Sequence, residues 1–512
     1  MSSFPIPETL CSSRAFPLAD ELLKRTTSRC LVCHAPCPAE VWRTGGIPAK
    51  VLLKRTCSEH GEASVCIASD ARFYWLAKGK AENACCGSAR SAPGDGYTPQ
   101  TFVCCSADGS NTGTLGRNAE PGNALGVMEK LSTCLALIEI VNSCNLACPT
   151  CYADSPVGAG SKVDAVPLAD LQRRIQGVID RKGGIEILQL SGGEPTLHPQ
   201  FFELLRWLHA NPGIDYVLLN TNGVRIAQDE TFARDLGATF RYGKFQLYLQ
   251  FDGMQEAGQQ SLRGADLRAT RERCLERCRQ MKLPVTLAMT VTPDNLPFLW
   301  DAIEFGLRWS NVRGISFQPM FGSGRTPVQS RVQSPESKVT DNSSRTTEND
   351  SGLWTVDSGL RRLNTADIIL AAVGQSSGRL RFEDFTPLPC GDPNCAAIGY
   401  LLKIDGQVRS VSDFIDFTRV QDFLGSKVRY KLEDLMKCGC ESEPLGELLK
   451  KFELDESHTF RLFIKPFMDA GTWDEDRIDR CCTHVIRPDG KLDSFCRYYS
   501  GFQESNFTDD KK

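Results

Sequence analysis

The sequence predicts an α/β fold built on a parallel sheet, because strand-like and helical segments alternate along its central part. Six apolar, strand-like segments alternate with helical or loop segments between residues 135 and 320. Such alternation is typical of parallel sheets, because strands that run in the same direction need a crossover between them. The chain has 512 residues, 41% of them hydrophobic, which is enough for two or three domains.

The strands are predicted from short apolar runs, and the helices between them from apolar stripes at helical spacing. The clearest helix runs from Pro167 to Arg181 and stops at Gly183-Gly184. Six units are fewer than the eight of a closed (β/α)8 barrel. The predicted strands are 135–141, 185–190, 216–220, 245–251, 285–291 and 314–320, and the predicted helices are 167–181, 201–209, 267–283 and 295–310.

Glycines and polar side chains follow several of these strands. In barrels the chemistry lies at the C-terminal ends of the strands, so we expect these residues to surround one site. A Gly-Gly-Glu loop lets the backbone approach a ligand closely and places a carboxylate beside it. Asn222 and Asp252 fit ordinary turns equally well. The candidate cofactor-binding residues are Gly192, Gly193, Glu194, Asn222, Asp252 and Gln318.

The loop after the first predicted strand contains three cysteines, Cys144, Cys148 and Cys151, spaced C-x3-C-x2-C. Thiolates that converge on a small volume suit three corners of a [4Fe–4S] cubane. A fourth cysteine at comparable spacing is missing from this stretch, so one iron would lack a protein ligand, and an open position is typical of a catalytic metal. A zinc knuckle is the alternative that these residues alone leave open.

A second metal site is predicted near the N-terminus. Cys30 and Cys33 supply two thiolates, and Cys57 and His60 supply a thiolate and an imidazole. Together these four ligands complete a tetrahedral iron or zinc site. Cys37 or Cys66 is the alternative to His60 as the fourth ligand. Because the protein fills all four positions, we expect a structural, mononuclear site. The candidate ligands are Cys30, Cys33, Cys57 and His60.

Two further groups of cysteines predict auxiliary clusters. The first lies in a Gly-, Ser- and Pro-rich segment that needs a metal to offset its chain entropy, with free buried thiols as the alternative. The second lies after the barrel and suits a fully ligated [4Fe–4S] cluster, with Cys481 as the alternative to Cys482. The candidates are Cys86, Cys104 and Cys134 in the first group and Cys390, Cys395, Cys482 and Cys496 in the second.

The stretch from Cys144 to Tyr152, followed by Gly192-Gly193-Glu194, resembles the signature of the radical S-adenosylmethionine (radical SAM) superfamily. The resemblance implies a partial (β/α)6 barrel and SAM bound to the open iron. It also implies that an electron from the cluster cleaves SAM to a 5′-deoxyadenosyl radical. Glu194 is then expected to bind the amino group of SAM, and Tyr152 to belong to the cofactor site.

Further motifs in matching order resemble the group that contains tetraether lipid synthase and the class D radical SAM methyltransferases. They are the N-terminal knuckle, Phe317-Gln318-Pro319, the segment from Cys390 to Cys395 and the final Phe495-Cys496. This implies methylation or C–C bond formation at an unactivated carbon of a small-molecule or lipid-like substrate. It also implies an electron donor of flavodoxin or ferredoxin type. A peptide-modifying radical SAM maturase and a non-catalytic zinc-binding scaffold are the alternatives.

Composition and charge limit the partners and the cellular compartment that the sequence predicts. A net charge of −4 gives no electrostatic case for nucleic acid. No apolar run approaches the roughly 20 residues needed to cross a membrane. Twenty-three cysteines suit metal binding in a reducing compartment better than disulfides, so a cytoplasmic protein is predicted.

The predicted organisation has six parts. These are a flexible tail at 1–25, the knuckle at 26–75, a cysteine-containing connection at 76–133, the barrel at 134–322, a disordered polar insertion at 323–352 and a cysteine-rich α+β domain at 353–507.

Overall fold

The computed structural model describes residues 19–76, 133–158, 160–326, 362–388, 391–404, 407–414 and 458–501. Most of the predicted tail, connection and polar insertion lies outside these ranges, but residues 21–25 of the predicted flexible tail form the start of the first strand, Glu21–Arg29. Cys86, Cys104 and Cys390 also lie outside the described ranges, so those predicted ligands have no structural description.

The N-terminal part forms a four-stranded antiparallel sheet whose strands lie in chain order. Alternate residues of the central strands, such as Val41, Val51 and Leu53, are buried and form a small core. Arg55 on the third strand is 2% exposed and donates from Nη1 to the carbonyl oxygen of Ala470 at 2.7 Å, which joins this sheet to the C-terminal part. The strands are β1 Glu21–Arg29, β2 Pro36–Arg43, β3 Val51–Cys57 and β4 Gly61–Ala68.

The six predicted strands of the barrel form and pair in parallel, each with the next along the chain. This confirms the predicted α/β fold class. Their apolar side chains pack against the surrounding helices in one continuous core. The strands are β5 Leu135–Val141, β6 Ile185–Gly192, β7 Ile214–Thr221, β8 Phe245–Gln250, β9 Val285–Val291 and β10 Val312–Pro319.

The four predicted helices form, the last of them starting later than expected. The first helix forms as its sequence pattern predicts. Leu171, Ile175 and Val178 are fully buried on one face, and Gly183 ends the helix in the left-handed region with φ 93°. Three short, polar helices between β7 and β9 were not predicted. The seven helices are α1 Leu168–Lys182, α2 Phe201–Ala210, α3 Val224–Gln228, α4 Glu230–Thr239, α5 Glu256–Arg263, α6 Arg268–Gln280 and α7 Leu299–Leu307.

The C-terminal part adds its strands to the same sheet. Strand β14 pairs in parallel with β10, and β15 pairs in parallel with β5. Eight parallel strands therefore lie side by side, with short antiparallel strands at both ends. The elements are α8 Thr365–Gln375, β11 Thr386–Pro387, β12 Ala397–Ile404, β13 Gln407–Ser410, β14 Thr459–Ile464, α9 Glu475–Asp479, β15 Thr483–Ile486, β16 Leu492–Ser494 and α10 Phe495–Ser500.

Within the described ranges, a helix with the length and apolar character needed to cross a bilayer is not found.

Candidate active site

The Gly-Gly-Glu loop after β6 lies directly against the loop that carries the three cysteines. The Gly193 N–H donates to the Val141 carbonyl at 2.8 Å, and the Glu194 N–H donates to the Ser143 carbonyl at 2.9 Å. A Cβ atom on Gly193 would lie 2.0 Å from the Ser143 oxygen, so only glycine fits. The close backbone approach expected for a ligand is therefore made, in this structure, to the cysteine loop itself.

Glu194 is buried, with 1% of its surface exposed. Its Oε1 accepts hydrogen bonds from the Thr196 and Thr221 hydroxyls, each at 2.7 Å, and its Oε2 accepts one from the Asn222 N–H at 2.8 Å. Burial raises the pKa of Glu194, and these hydrogen bonds oppose that rise. The carboxylate thus ties the ends of β6 and β7 together, while Oε2 keeps one acceptor site for a further donor.

The three cysteines lie at the C-terminal end of β5. Burial raises the pKa of Cys144 to about 12 and also raises that of Cys148. A cluster of thiols in this environment is explained physically by a metal that takes up thiolates. The donor set therefore fits a cluster held by Cys144, Cys148 and Cys151.

Arg325, which follows β10, holds the cysteine loop in place. Its backbone exchanges two hydrogen bonds with that of Cys151, and its Nε donates to the Cys148 carbonyl at 3.0 Å. Its guanidinium also pairs with Asp154 at 3.0 Å. Sequence reasoning missed this residue, because nothing in the local pattern at the edge of a polar segment marks a contact to a loop so far away along the chain.

Three of the other predicted residues lie where the strand ends meet the cysteines. The Asn222 side chain approaches the Cys144 sulfur at 3.8 Å and donates to Asn145 Oδ1 at 2.6 Å. The hydroxyls of Tyr152 and Ser191 are 3.2 Å apart. Gln318 donates to the Tyr248 hydroxyl at 3.0 Å. Their predicted contacts with a cofactor stay predictions.

Asp252 has a different environment. Its φ is +63°, it is 1% exposed, and its carboxylate forms a two-point ion pair with Arg263 at 2.6 and 2.9 Å. Asp252 Oδ1, which accepts a hydrogen bond from Arg263 Nη2, also accepts one from the Thr290 N–H at 3.0 Å. The carboxylate therefore lies behind Arg263, and this geometry favours a supporting role over the predicted direct contact with the cofactor.

One cavity of about 520 Å³ lies inside the barrel and opens onto the three cysteines and the Gly-Gly-Glu loop. Its walls carry amides and hydroxyls from successive strands, several of which are hydrogen-bonded to each other. Glu194 is the one acidic side chain among its described lining residues. The polar lining residues that matter below are Gln189, Asn220, Gln246, Tyr248, Gln250, Thr286 and Gln318.

The N-terminal sheet brings the predicted knuckle ligands together. The ligand atoms of Cys30, Cys33, Cys57 and His60 all lie within 4.8 Å of one another. The His60 side chain is the leading cause that lowers the pKa of Cys57, as a thiolate ligand needs. Cys37 is buried beside Cys30 and Cys57 but lies outside this four-residue group. The geometry favours His60 over Cys37 or Cys66.

The described C-terminal cysteines lie close together. Burial raises the pKa of Cys496 to about 11 and raises that of Cys481 still further, and the thiols of Cys395, Cys481 and Cys496 influence one another electrostatically. Cys482 instead lines the barrel cavity beside Cys134, whose N–H donates to the Cys482 carbonyl at 2.8 Å. Cys481, the predicted alternative, lies within electrostatic range of Cys395 and Cys496, while the Cys482 sulfur lies 3.1 Å from where a Cβ on Gly391 would be, so the choice between Cys481 and Cys482 stays a prediction.

Comparison with known proteins identifies the central part of the chain. A family model described as the radical SAM superfamily matches residues 138–305, which span β5 to α7. The chain contains a radical SAM domain. A second family model, the HMPTM N-terminal zinc ribbon domain, matches residues 22–69, the four-stranded sheet that precedes the radical SAM domain.

Two curated relatives illustrate the range of likeness. A 7,8-dihydro-6-hydroxymethylpterin dimethyltransferase of Methanocaldococcus jannaschii is 24% identical over 534 residues, covering 93% of both chains. A GTP 3′,8-cyclase of Chlorobaculum tepidum is 36% identical over 87 residues, covering 17% of this chain and 25% of the cyclase.

Two solved structures are similar to part of this chain. Streptococcus suis SuiB bound to S-adenosylmethionine matches at 16% identity and a TM-score of 0.30, over 36% of this chain and 40% of SuiB. Native anSMEcpe with bound AdoMet matches at 25% identity and a TM-score of 0.30, over 36% of this chain and 51% of that one.

Proposed function

We propose that this chain is a radical SAM methyltransferase that acts on an unactivated carbon of a small, polar molecule. The observation that carries the proposal is the meeting of three partly or fully buried cysteines and the Gly-Gly-Glu loop at the mouth of one cavity inside the barrel. The relative that supports methyl transfer is the pterin dimethyltransferase, which aligns along nearly the whole chain.

In the proposed site, Cys144, Cys148 and Cys151, which all line the cavity, would hold a [4Fe–4S] cluster. When bound, the cluster supplies the electron that cleaves SAM. The protein positions the partners and excludes bulk water: Glu194 offers its remaining Oε2 acceptor site to an amino group, and Asn222 orients the loop beside Cys144.

The cavity walls offer a polar substrate hydrogen-bonding groups from several strands, set among a larger apolar surface. Gln189 and Asn220 are hydrogen-bonded to each other, and the Asn220 amide also donates to Ser191 at 3.1 Å. Tyr216 donates to Gln246 at 3.1 Å on the next strand. An acyl or isoprenoid chain would remove water from these amides without offering hydrogen bonds, which carries a desolvation cost.

Two supporting metal sites complete the proposal. The zinc ribbon domain holds one zinc or iron ion at Cys30, Cys33, Cys57 and His60, and this site stabilises the fold. Cys395, Cys481 and Cys496 supply ligands for an auxiliary cluster near the cavity. We expect a cytoplasmic enzyme that receives electrons from a flavodoxin- or ferredoxin-type donor.

The test is performed on anaerobically reconstituted full-length protein reduced with dithionite. The wild type should release 5′-deoxyadenosine from SAM, and a variant with Ala at Cys144, Cys148 and Cys151 should not. Cys66→Ala, on β4 and outside the cavity lining, is the matched control and should retain release. Equal release from the triple variant would refute the site.

Reductive cleavage leaves the methyl group of SAM on methionine, so methyl transfer from SAM requires a second SAM molecule. The transfer is tested separately with an excess of SAM that carries a deuterated methyl group. The probes are 7,8-dihydro-6-hydroxymethylpterin, as a polar heterocycle, and a phospholipid with saturated chains. Mass spectrometry should show the labelled methyl group in the polar probe and none in the lipid. Label in the lipid alone would overturn the proposed substrate class while leaving SAM cleavage intact.

A further inference from the structure

Arg263, the last residue of α5, places a buried guanidinium beside the cysteine loop. Its side chain is 7% exposed, and that of its partner Asp252 is 0% exposed. Nη1 donates to the Thr150 carbonyl at 3.2 Å, and Thr150 lies between Cys148 and Cys151 in the chain. A buried charge held against this loop has a substantial desolvation cost, so its position calls for a physical explanation.

The hydrogen bonds of Arg263 can be counted. A guanidinium has five N–H groups. Nε and Nη2 each donate to Asp252, Nη2 also donates to Thr290 Oγ1 at 3.0 Å, and Nη1 donates to the Thr150 carbonyl. Four of the five N–H groups therefore have acceptors, and Asp252 fixes the orientation of the whole fork.

The guanidinium thus lies against the stretch from Cys148 to Cys151, which it contacts through the Thr150 carbonyl. Arg263 also lines the cavity, which places it at the border between the cysteine loop and the space in the barrel.

We propose that Arg263 is a positioning residue that raises the reduction potential of the catalytic cluster by holding a buried positive charge against the loop that carries Cys148 and Cys151. The inference rests on the proposed function, because it requires a cluster at the three cysteines. Hydrogen bonds to cluster sulfurs and nearby charge are among the factors that set such potentials. Reduction adds a negative charge to the cluster, so a fixed cation favours the reduced form.

The experiment measures the midpoint potential of the catalytic cluster in full-length, anaerobically reconstituted protein by EPR-monitored redox titration. The catalytic cluster is distinguished from any auxiliary cluster because SAM binds to its open iron and changes its EPR signal. The variants are Arg263→Gln, which removes the charge, and Arg263→Lys, which keeps the charge and removes the planar fork. Iron and sulfide content are measured for each.

Arg263→Gln should lower the ratio of reduced to oxidised cluster at a fixed potential by about tenfold, the size expected for losing one charge about 10 Å away at an effective dielectric constant of about 20. That corresponds to about 59 mV for one electron. Arg263→Lys should shift the potential in the same direction by less. Asp252→Asn removes the negative charge behind Arg263 and should shift it in the opposite direction.

The matched control is Arg268→Gln. Arg268 lies five residues further along, and it is paired with Asp266 at 2.7 Å and Glu256 at 3.1 Å on the protein surface. Its loss should leave the potential unchanged. A potential for Arg263→Gln equal to that of wild type and of Arg268→Gln would overturn the inference.

If Arg263→Gln does not retain iron, the other two variants decide. Opposite shifts in Arg263→Lys and Asp252→Asn support the inference, and unchanged potentials in both refute it. A wild-type protein without any SAM-responsive cluster is a distinct result, since the proposed function would then fail and the inference with it.

Discussion

Substitution of Gly193 by alanine tests how the site is assembled. The new Cβ would lie 2.0 Å from the Ser143 oxygen, 2.3 Å from its carbonyl carbon and 2.9 Å from the Asn142 oxygen. All three are backbone atoms, which cannot rotate away as a side chain can. Cβ atoms come no closer than roughly 3 Å to other atoms, so the two loops must separate by about 1 Å.

That separation has a cost that can be estimated. Two backbone hydrogen bonds, now at 2.8 and 2.9 Å, would stretch past the range in which such bonds form. At about 0.5–1.5 kcal/mol each, their loss predicts a decrease of about 1–3 kcal/mol in the free energy of unfolding. A displacement of about 1 Å at Cys144 should also lower the rate of SAM cleavage by about 100-fold.

The assays are urea unfolding of the full-length protein and 5′-deoxyadenosine release per catalytic cluster. The control is Gly374→Ala on α8, where no atom lies within 4 Å of the added Cβ. Alanine there should leave the release rate unchanged and raise stability by up to about 1 kcal/mol. A Gly193→Ala protein with wild-type stability and rate would show that the contact between the loops does not position Cys144.

Two further predictions concern the zinc ribbon and the stability of the barrel in acid. Serine at both Cys30 and Cys33 should remove about one metal ion per chain and lower the thermal unfolding temperature, because the closed site contributes folding free energy. The rate of SAM cleavage per catalytic cluster should not change; a collapse of that rate in a folded variant would contradict a structural role. Burial and the nearby Arg241 and Lys244 charges lower the pKa of His209 to about 4. The unfolded chain takes up this proton below about pH 6.5, so stability should fall as the pH drops from about 6.5 towards 4. His209→Gln should lose less stability than wild type between pH 7 and 5 in urea titrations, and an equal loss would rule out this origin.

The barrel could be predicted from the sequence because its strands are short apolar runs with clear ends. Leu135–Val141 is apolar at all but one position, and Asn220 and Gln318 mark strand ends that face the cavity. The cysteine motif predicted the site for the same reason, since the chemistry and the loop coincide in eight residues.

The parts that could not be predicted depend on contacts between distant segments. Arg263 resembles any arginine at the C-terminal end of a polar helix, and only the fold brings it to Cys148. The two glycines predicted an approach to a ligand, and the structure shows an approach to the chain itself. Whether Cys481 or Cys482 joins Cys395 depends on which way two neighbouring side chains point, which spacing does not encode.

The pairing of β15 with β5 has a consequence for synthesis of the chain. Thr483 aligns with Leu135, so one side of the first barrel strand obtains this partner only after almost 350 further residues have been made. At the opposite side of the barrel, β10 likewise obtains its pairing partner β14 only later in synthesis. Until then, backbone N–H and C=O groups on both strands are open to pairing with other chains. Ribosome-bound fragments that end before residue 459 should therefore bind chaperones and aggregate more readily than the finished protein.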